Sequence, residues 1–199
     1  MSAAAVLPLE PPRKRWTRTQ CAALEASGVF EREHLELING ELISKMGQNR
    51  PHAVSLARLH AWLMRVFGES FVHQEAPIDV HPADNPTNEP EPDVIVLKRD
   101  MSSFTSNPRP EDVHLVAEVS DSTLHFDLTQ KAQLYARAGI QEYWVLDVAG
   151  RRLIVHRKPA AGKWESVAAY GETDSVSPLA APTAEFRAGQ VLPTSRPPA

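Results

Sequence analysis

Cysteine is almost absent: Cys21 is the one cysteine in 199 residues. Neither an intramolecular disulfide nor a cysteine-based zinc site can therefore hold the chain together. It falls in a predicted amphipathic helix, where a small buried thiol is the expected role rather than a nucleophile. Long apolar runs are also missing, and none approaches the ~20 residues needed to span a bilayer. An excess of basic charge is lacking too, since 21 Lys and Arg stand against 25 Asp and Glu, a net charge of -4. That excludes a broadly basic nucleic-acid binder. It leaves a nuclease open, because carboxylates that hold a metal count as negative until the metal arrives. Met1 to Leu9 carries no basic region and no cleavage site, so it reads as a frayed tail rather than a signal peptide. A cytoplasmic location is the default that follows.

What is present fits a single domain able to bury its own core. Residues 1–15, rich in Ala and Pro and ending in Arg13-Lys14-Arg15, read as a flexible tail. The domain is expected over 16–190, with disorder in the C-terminal tail from 191 to 199, where the composition turns polar and Pro-rich from Pro193. Thr17 with Gln20 forms a capping-box pattern for a first helix closed by Gly28. Leu35 to Ile38 and Glu41 to Met46 flank Asn39-Gly40, a hairpin turn signal. Pro51 opens a second helix whose apolar stripe ends at Gly68. Short strands are expected at 71–75, 78–81 and 94–97, and a further apolar strand at 113–119. A third helix is expected from Asp127, as its N-cap, to Ala138, followed by strands at 143–146, 152–156 and 164–170. Two apolar strands, a helix and another apolar strand imply a crossover connection. The fold class is α/β (α+β), a mixed central β-sheet flanked by helices.

Charge interrupts the apolar runs at two places. Asp93 leads directly into Val94-Ile95-Val96-Leu97, and Glu118 lies within Val116-Ala117-Glu118-Val119. A carboxylate in a buried strand is costly unless a cation or donor meets it. Two of them on neighbouring strands could share one hard cation, Mg²⁺ or Mn²⁺. The alternative is that Asp93 caps a strand and Glu118 faces solvent on an edge. Lys131 shares a helix face with Leu128, Leu134 and Tyr135, on or beside the core-facing stripe. From there its ammonium could orient water and offset phosphate charge, or simply snorkel to solvent. His52 could contact a phosphate or a metal, although a helix-terminal surface histidine is the commoner case.

Several spaced segments together carry a resemblance. Leu35-Glu36-Leu37-Ile38-Asn39-Gly40-Glu41, His52, Glu91-Pro92-Asp93-Val94, Glu118-Val119-Ser120-Asp121-Ser122-Thr123, Lys131, Tyr135 to Ile140 and Glu142 to Asp147 closely resemble the Uma-two family of restriction endonucleases, over roughly Thr17 to Phe186. The resemblance implies the PD-(D/E)XK nuclease fold, with Asp93 and Glu118 as metal-binding acids and Glu41 as a further acid. The usual lysine position, two after Glu118, holds Ser120, so Lys131 on the following helix is the natural replacement. The implied function is Mg²⁺- or Mn²⁺-dependent endonucleolytic hydrolysis of phosphodiester bonds, with DNA as the expected substrate and no membrane partner. Glu41 would bind through water or orient a neighbouring group. A homodimer would place one site on each strand of a duplex, although no dedicated dimerisation helix stands out. The alternative on the same scaffold is a catalytically inactive nucleic-acid-binding or interaction module.

Overall fold

A computed structural model describes residues 13–31, 33–45 and 49–194. Helix α1 (Arg18–Ala26) begins at Thr17, whose side chain accepts from the Gln20 backbone while the Gln20 side chain returns to the Thr17 backbone. Cys21 is buried against the body of the protein. Strands β1 (Leu35–Ile38) and β2 (Glu41–Ser44) form a two-stranded hairpin. Its turn has positive φ at both Asn39 and Gly40, the geometry that Asn-Gly tolerates. A side chain at Gly40 would also meet Arg15 and the Trp16 carbonyl, because Trp16 N–H donates to the Gly40 carbonyl at 2.8 Å. The rest of the predicted N-terminal tail, and Met46 of the predicted return strand, lie outside the described residues.

Helix α2 (Arg50–Phe67) follows, capped by Asn49 and with Pro51 in its first turn. The main sheet contains β3 (Val72–His73), β4 (Val94–Leu97), β5 (Val113–Ser120), β6 (Glu142–Asp147), β7 (Arg152–Ala160) and β8 (Lys163–Gly171), in that spatial order. All neighbours are antiparallel except β5 and β6. A parallel pair needs a crossover, and here it is helical: α3 (Leu124–Phe126), a π-helical stretch Asp127–Lys131 and α4 (Ala132–Ala138) run on one from another. Gly139 ends it in the left-handed region. The fold is therefore the mixed sheet flanked by helices that the apolar runs predict.

Both sheet faces are buried. Val94, Val96, Ala117 and Trp144 meet Leu56, Leu59, Trp62 and Leu63 of α2 together with Phe186 and Leu192. Ile95, Val116, Tyr143 and Val145 meet Ala132, Tyr135 and Ile140 on the other side. This explains why β4 and β6 are continuous apolar runs rather than alternating ones.

Three expectations are corrected. Residues 78–81 do not join a ladder: Ile78 N–H goes to the Pro90 carbonyl and Val80 N–H to the Asn85 side chain, since Pro90 and Pro92 have no N–H to extend a strand pair. Asp127 is not an N-cap, because the helical rod starts before it, and it is buried. Val191 and Leu192 pack in the core, so the packed body runs past residue 190. Of the predicted tail beyond it, 195–199 lie outside the described residues.

Candidate functional site

The register of β4 on β5 pairs Val94 with Ala117, which brings Asp93, just before β4, opposite Glu118. Their side chains lock the two strands together. Val119 N–H donates to Asp93 Oδ2 at 2.8 Å, and Asp93 N–H to Glu118 Oε2 at 3.3 Å. By strand alternation Glu118 shares a face with Val116 and turns toward the crossover helix. There Lys131 Nζ donates to Glu118 Oε1 at 2.9 Å and Tyr135 Oη at 3.2 Å. The π-helical turn ends on Lys131. Such insertions re-aim side chains and concentrate at functional sites, and both Lys131 and Glu118 are only 2% exposed.

The β1–β2 hairpin closes the cleft, and it does so with a residue that strand alternation alone does not single out. Glu36 Oε1 lies 2.8 Å from Lys131 Nζ, and its other oxygen accepts from Glu91 N–H at 3.2 Å. Glu41 lies nearer the turn, ion-paired with Arg15 at 2.9 Å and half-exposed. It does not line the cleft; two residues along a strand is ~7 Å, enough to carry it away. The structure thus brings Asp93, Glu118 and Lys131 together and leaves Glu41 apart. A signal for Glu36 does exist, since a carboxylate between Leu35 and Leu37-Ile38 meets the criterion that singles out Asp93 and Glu118.

Two nitrogen-bearing side chains face Asp93. Lys45 Nζ is 3.3 Å from Oδ1 and also donates to the Glu91 carbonyl. His52 Nε2 is 3.4 Å from Oδ2, while its buried Nδ1 has no partner. His52 is therefore within the cleft rather than at the surface. Lys45 carries no motif or periodicity that marks it in sequence. Ser120, at the position where the resemblance leads one to expect lysine, donates to Asp127 Oδ2 at 2.6 Å, as does Thr123. Asp127 lines the same cleft.

These groups surround a cavity of about 110 Å³, room for an ion-sized guest with a few waters. Burial pushes Glu118 up to about 8, with Lys131 opposing and Asp93 and Asp127 reinforcing the rise. For Asp93 burial acts in the same direction, but His52, Lys45, Lys131 and the Val119 N–H together hold it well below the usual carboxylate range. Lys131 is held well above its ordinary value: burial opposes this, and Glu118 and Glu36 outweigh it. Five acids, Glu36, Asp93, Glu118, Asp121 and Asp127, line the cleft with two lysines, so carboxyl groups outnumber ammonium groups, a donor set that attracts a divalent cation. Among the described residues no three His, Cys, Asp or Glu side chains form a ready-made metal cage. Two carboxylates suit a cation that keeps most of its waters, so the residues fit Mg²⁺ or Mn²⁺.

A family model described as "Putative restriction endonuclease", Uma2, matches residues 20–190. Among solved structures, a putative nuclease belonging to DUF820 from Anabaena variabilis superposes with a TM-score of 0.62. It is 15% identical, and the match covers 80% of this chain and 89% of that one, a likeness of fold. No curated protein matches the chain. Among the described residues no helix is long and apolar enough to cross a membrane.

Proposed function

The chain belongs to the Uma2 family, and from that premise we propose that it is a divalent-metal-dependent endonuclease hydrolysing phosphodiester bonds of DNA in the cleft around Asp93, Glu118 and Lys131. The observation that carries this reading is the pairing of Asp93 with Glu118 across β4 and β5, with the Lys131 ammonium 2.9 Å from Glu118. Asp93 and Glu118 would hold the cation. What Mg²⁺ or Mn²⁺ supplies in such a site is neutralisation of phosphate charge and acidification of a water molecule.

The chain's own residues do the rest. Lys131 stays protonated between Glu36 and Glu118, so it acts as a fixed positive donor that orients the attacking water and counters charge developing on the phosphate. Tyr135 holds Glu118 in place through its hydroxyl. Val119 N–H and His52 fix the Asp93 carboxylate, which leaves Oδ1, beside Lys45, facing the cleft. The buried walls exclude bulk water, so these charges act at low dielectric.

Incubation of supercoiled DNA with the purified protein tests the reading. Nicking or linearisation is expected with Mg²⁺ or Mn²⁺, and none with EDTA. Cutting that persists in EDTA would contradict the metal dependence, and equal cutting by Asp93→Asn would remove the site from the chemistry.

A further inference from the structure

Helix α2 starts at the cleft, where Asn49 and His52 line the wall, and leads away from it. Its sequence, RPHAVSLARLHAWLMRVF, contains no Asp or Glu, in a chain whose net charge is -4. Arg50, Arg58 and Arg65 are all exposed. At 3.6 residues per turn they fall within about 80° of one another around the helix, and they span about 22 Å along it.

These arginines differ from the others in one respect. Every described arginine outside α2 has a carboxylate within 4.0 Å, from Arg18 with Asp79 to Arg157 with Glu142. Among the described residues none of the three on α2 has one; Arg58 donates to the Leu192 carbonyl and to nothing charged. Exposed arginines that stay unpaired where the rest are neutralised leave their guanidinium forks for an external anion, and those forks match phosphate oxygens.

We infer that the outer face of α2 is a phosphate-contacting track that seats the backbone of duplex DNA and directs it toward the cleft. This rests on the nuclease reading and names the surface by which the substrate would be held. A duplex fits better than a single strand. Between the arginines lie half-buried Val54 and exposed Ala61, with exposed Ala53 and Ala57 beside them, and Trp62 is buried, so the face offers no aromatic platform of the sort on which unpaired bases stack. The 22 Å span follows a rigid duplex over about six base pairs.

The test is anisotropy of a short fluorescein-labelled DNA duplex with full-length protein in EDTA, titrated across about 50 to 200 mM salt. Arg50→Gln/Arg58→Gln/Arg65→Gln is expected to weaken binding by about 10- to 100-fold and to lower the salt slope by roughly 2 to 3, at ~0.9 for each phosphate no longer neutralised. Because Arg58 also ties α2 to Leu192, Arg50→Gln/Arg65→Gln is the second variant, with its salt slope lower by roughly 2. Lys158→Gln/Lys163→Gln, a charge change of the same size as this second variant on the β7–β8 hairpin, is expected to behave as wild type. Wild-type slopes in both arginine variants would overturn the inference, and if the wild type still cuts DNA the nuclease reading survives. Tighter binding of the matching single strand than of the duplex would overturn it as well. A folded wild type that binds no nucleic acid and cuts none would remove the nuclease reading along with the track.

Discussion

The Lys131 ammonium stands 2.9 Å from Glu118 Oε1, with both side chains buried, and Glu36 touches the same ammonium from the hairpin at 2.8 Å. The lysine therefore joins three separate parts of the fold: the crossover helix, the central strand and the N-terminal hairpin. Truncating it would leave two carboxylates buried without their cation. Lys131→Ala is expected to lose about 3 kcal/mol of stability, as well as cleavage, and urea denaturation of the purified variant measures it. A loss below about 0.5 kcal/mol would mean that the ammonium is not the buried partner of these two acids.

Glu118→Gln separates chemistry from folding. Burial and the neighbouring acids raise the Glu118 carboxyl to about 8, so the fold carries its charge at a cost, and a neutral amide of the same shape relieves part of that cost. The variant is expected to stay within about 1 kcal/mol of wild type while metal-dependent cleavage falls by on the order of 100-fold or more. Asp93→Asn is expected to lose activity similarly but to destabilise more. Its carboxylate is held ionised by Lys45, His52 and the Val119 N–H, and those donors would face a weaker acceptor. Measuring cleavage and thermal unfolding on the same preparations separates the two effects.

How much of this is legible in the sequence follows from what each residue's neighbours are along the chain. Asp93 and Glu118 stand out because each interrupts an apolar run, and one strand ladder suffices to bring them together. Lys131 stands out because it falls on the same helix face as Leu128 and Tyr135, although the π-helical turn that aims it leaves no trace in that periodicity. Lys45 and the free face of α2 are not legible. The one reaches Asp93 only through tertiary packing of the hairpin, and the other is defined by ion pairs that its arginines do not make. Asp127 misleads because helix-start chemistry and a buried acid look alike in sequence; only the earlier helical turn at Leu124 distinguishes them.

His156 predicts an acid-side loss of stability away from the cleft. It is buried between Tyr143 and Trp164, with ring centroids at 5.3 and 5.7 Å, and its Nδ1 has no partner. Burial lowers it from 6.5 to about 4, with a hydrogen bond to the Tyr143 backbone opposing. Because the folded value lies below the unfolded one, the unfolded chain binds more protons between them. Stability from the neutral ring is thus fully present above 6.5 and is lost as pH falls from 6.5 toward 4. The loss amounts to at most about 3 kcal/mol. Denaturation at pH 7.5 and 5 should show His156→Leu losing less stability than wild type on acidification, and parallel losses would contradict this account.

The two hairpin acids give the sharpest contrast, because they differ by position rather than by chemistry. Glu36 bonds Lys131 at 2.8 Å and is 3% exposed. Glu41 pairs with Arg15 where its side chain is 36% exposed, a pair that solvent screens. Glu36→Gln retains an acceptor but removes one of the two charges that hold the lysine, so cleavage is expected to fall about 10- to 100-fold. Glu41→Gln is expected to stay within about two-fold in cleavage and about 0.5 kcal/mol in stability. Single-turnover cleavage at saturating metal compares them directly. If Glu41→Gln proved the more damaging, the acid supplied by the hairpin would be Glu41, and the hairpin would have to rotate on the sheet to deliver it.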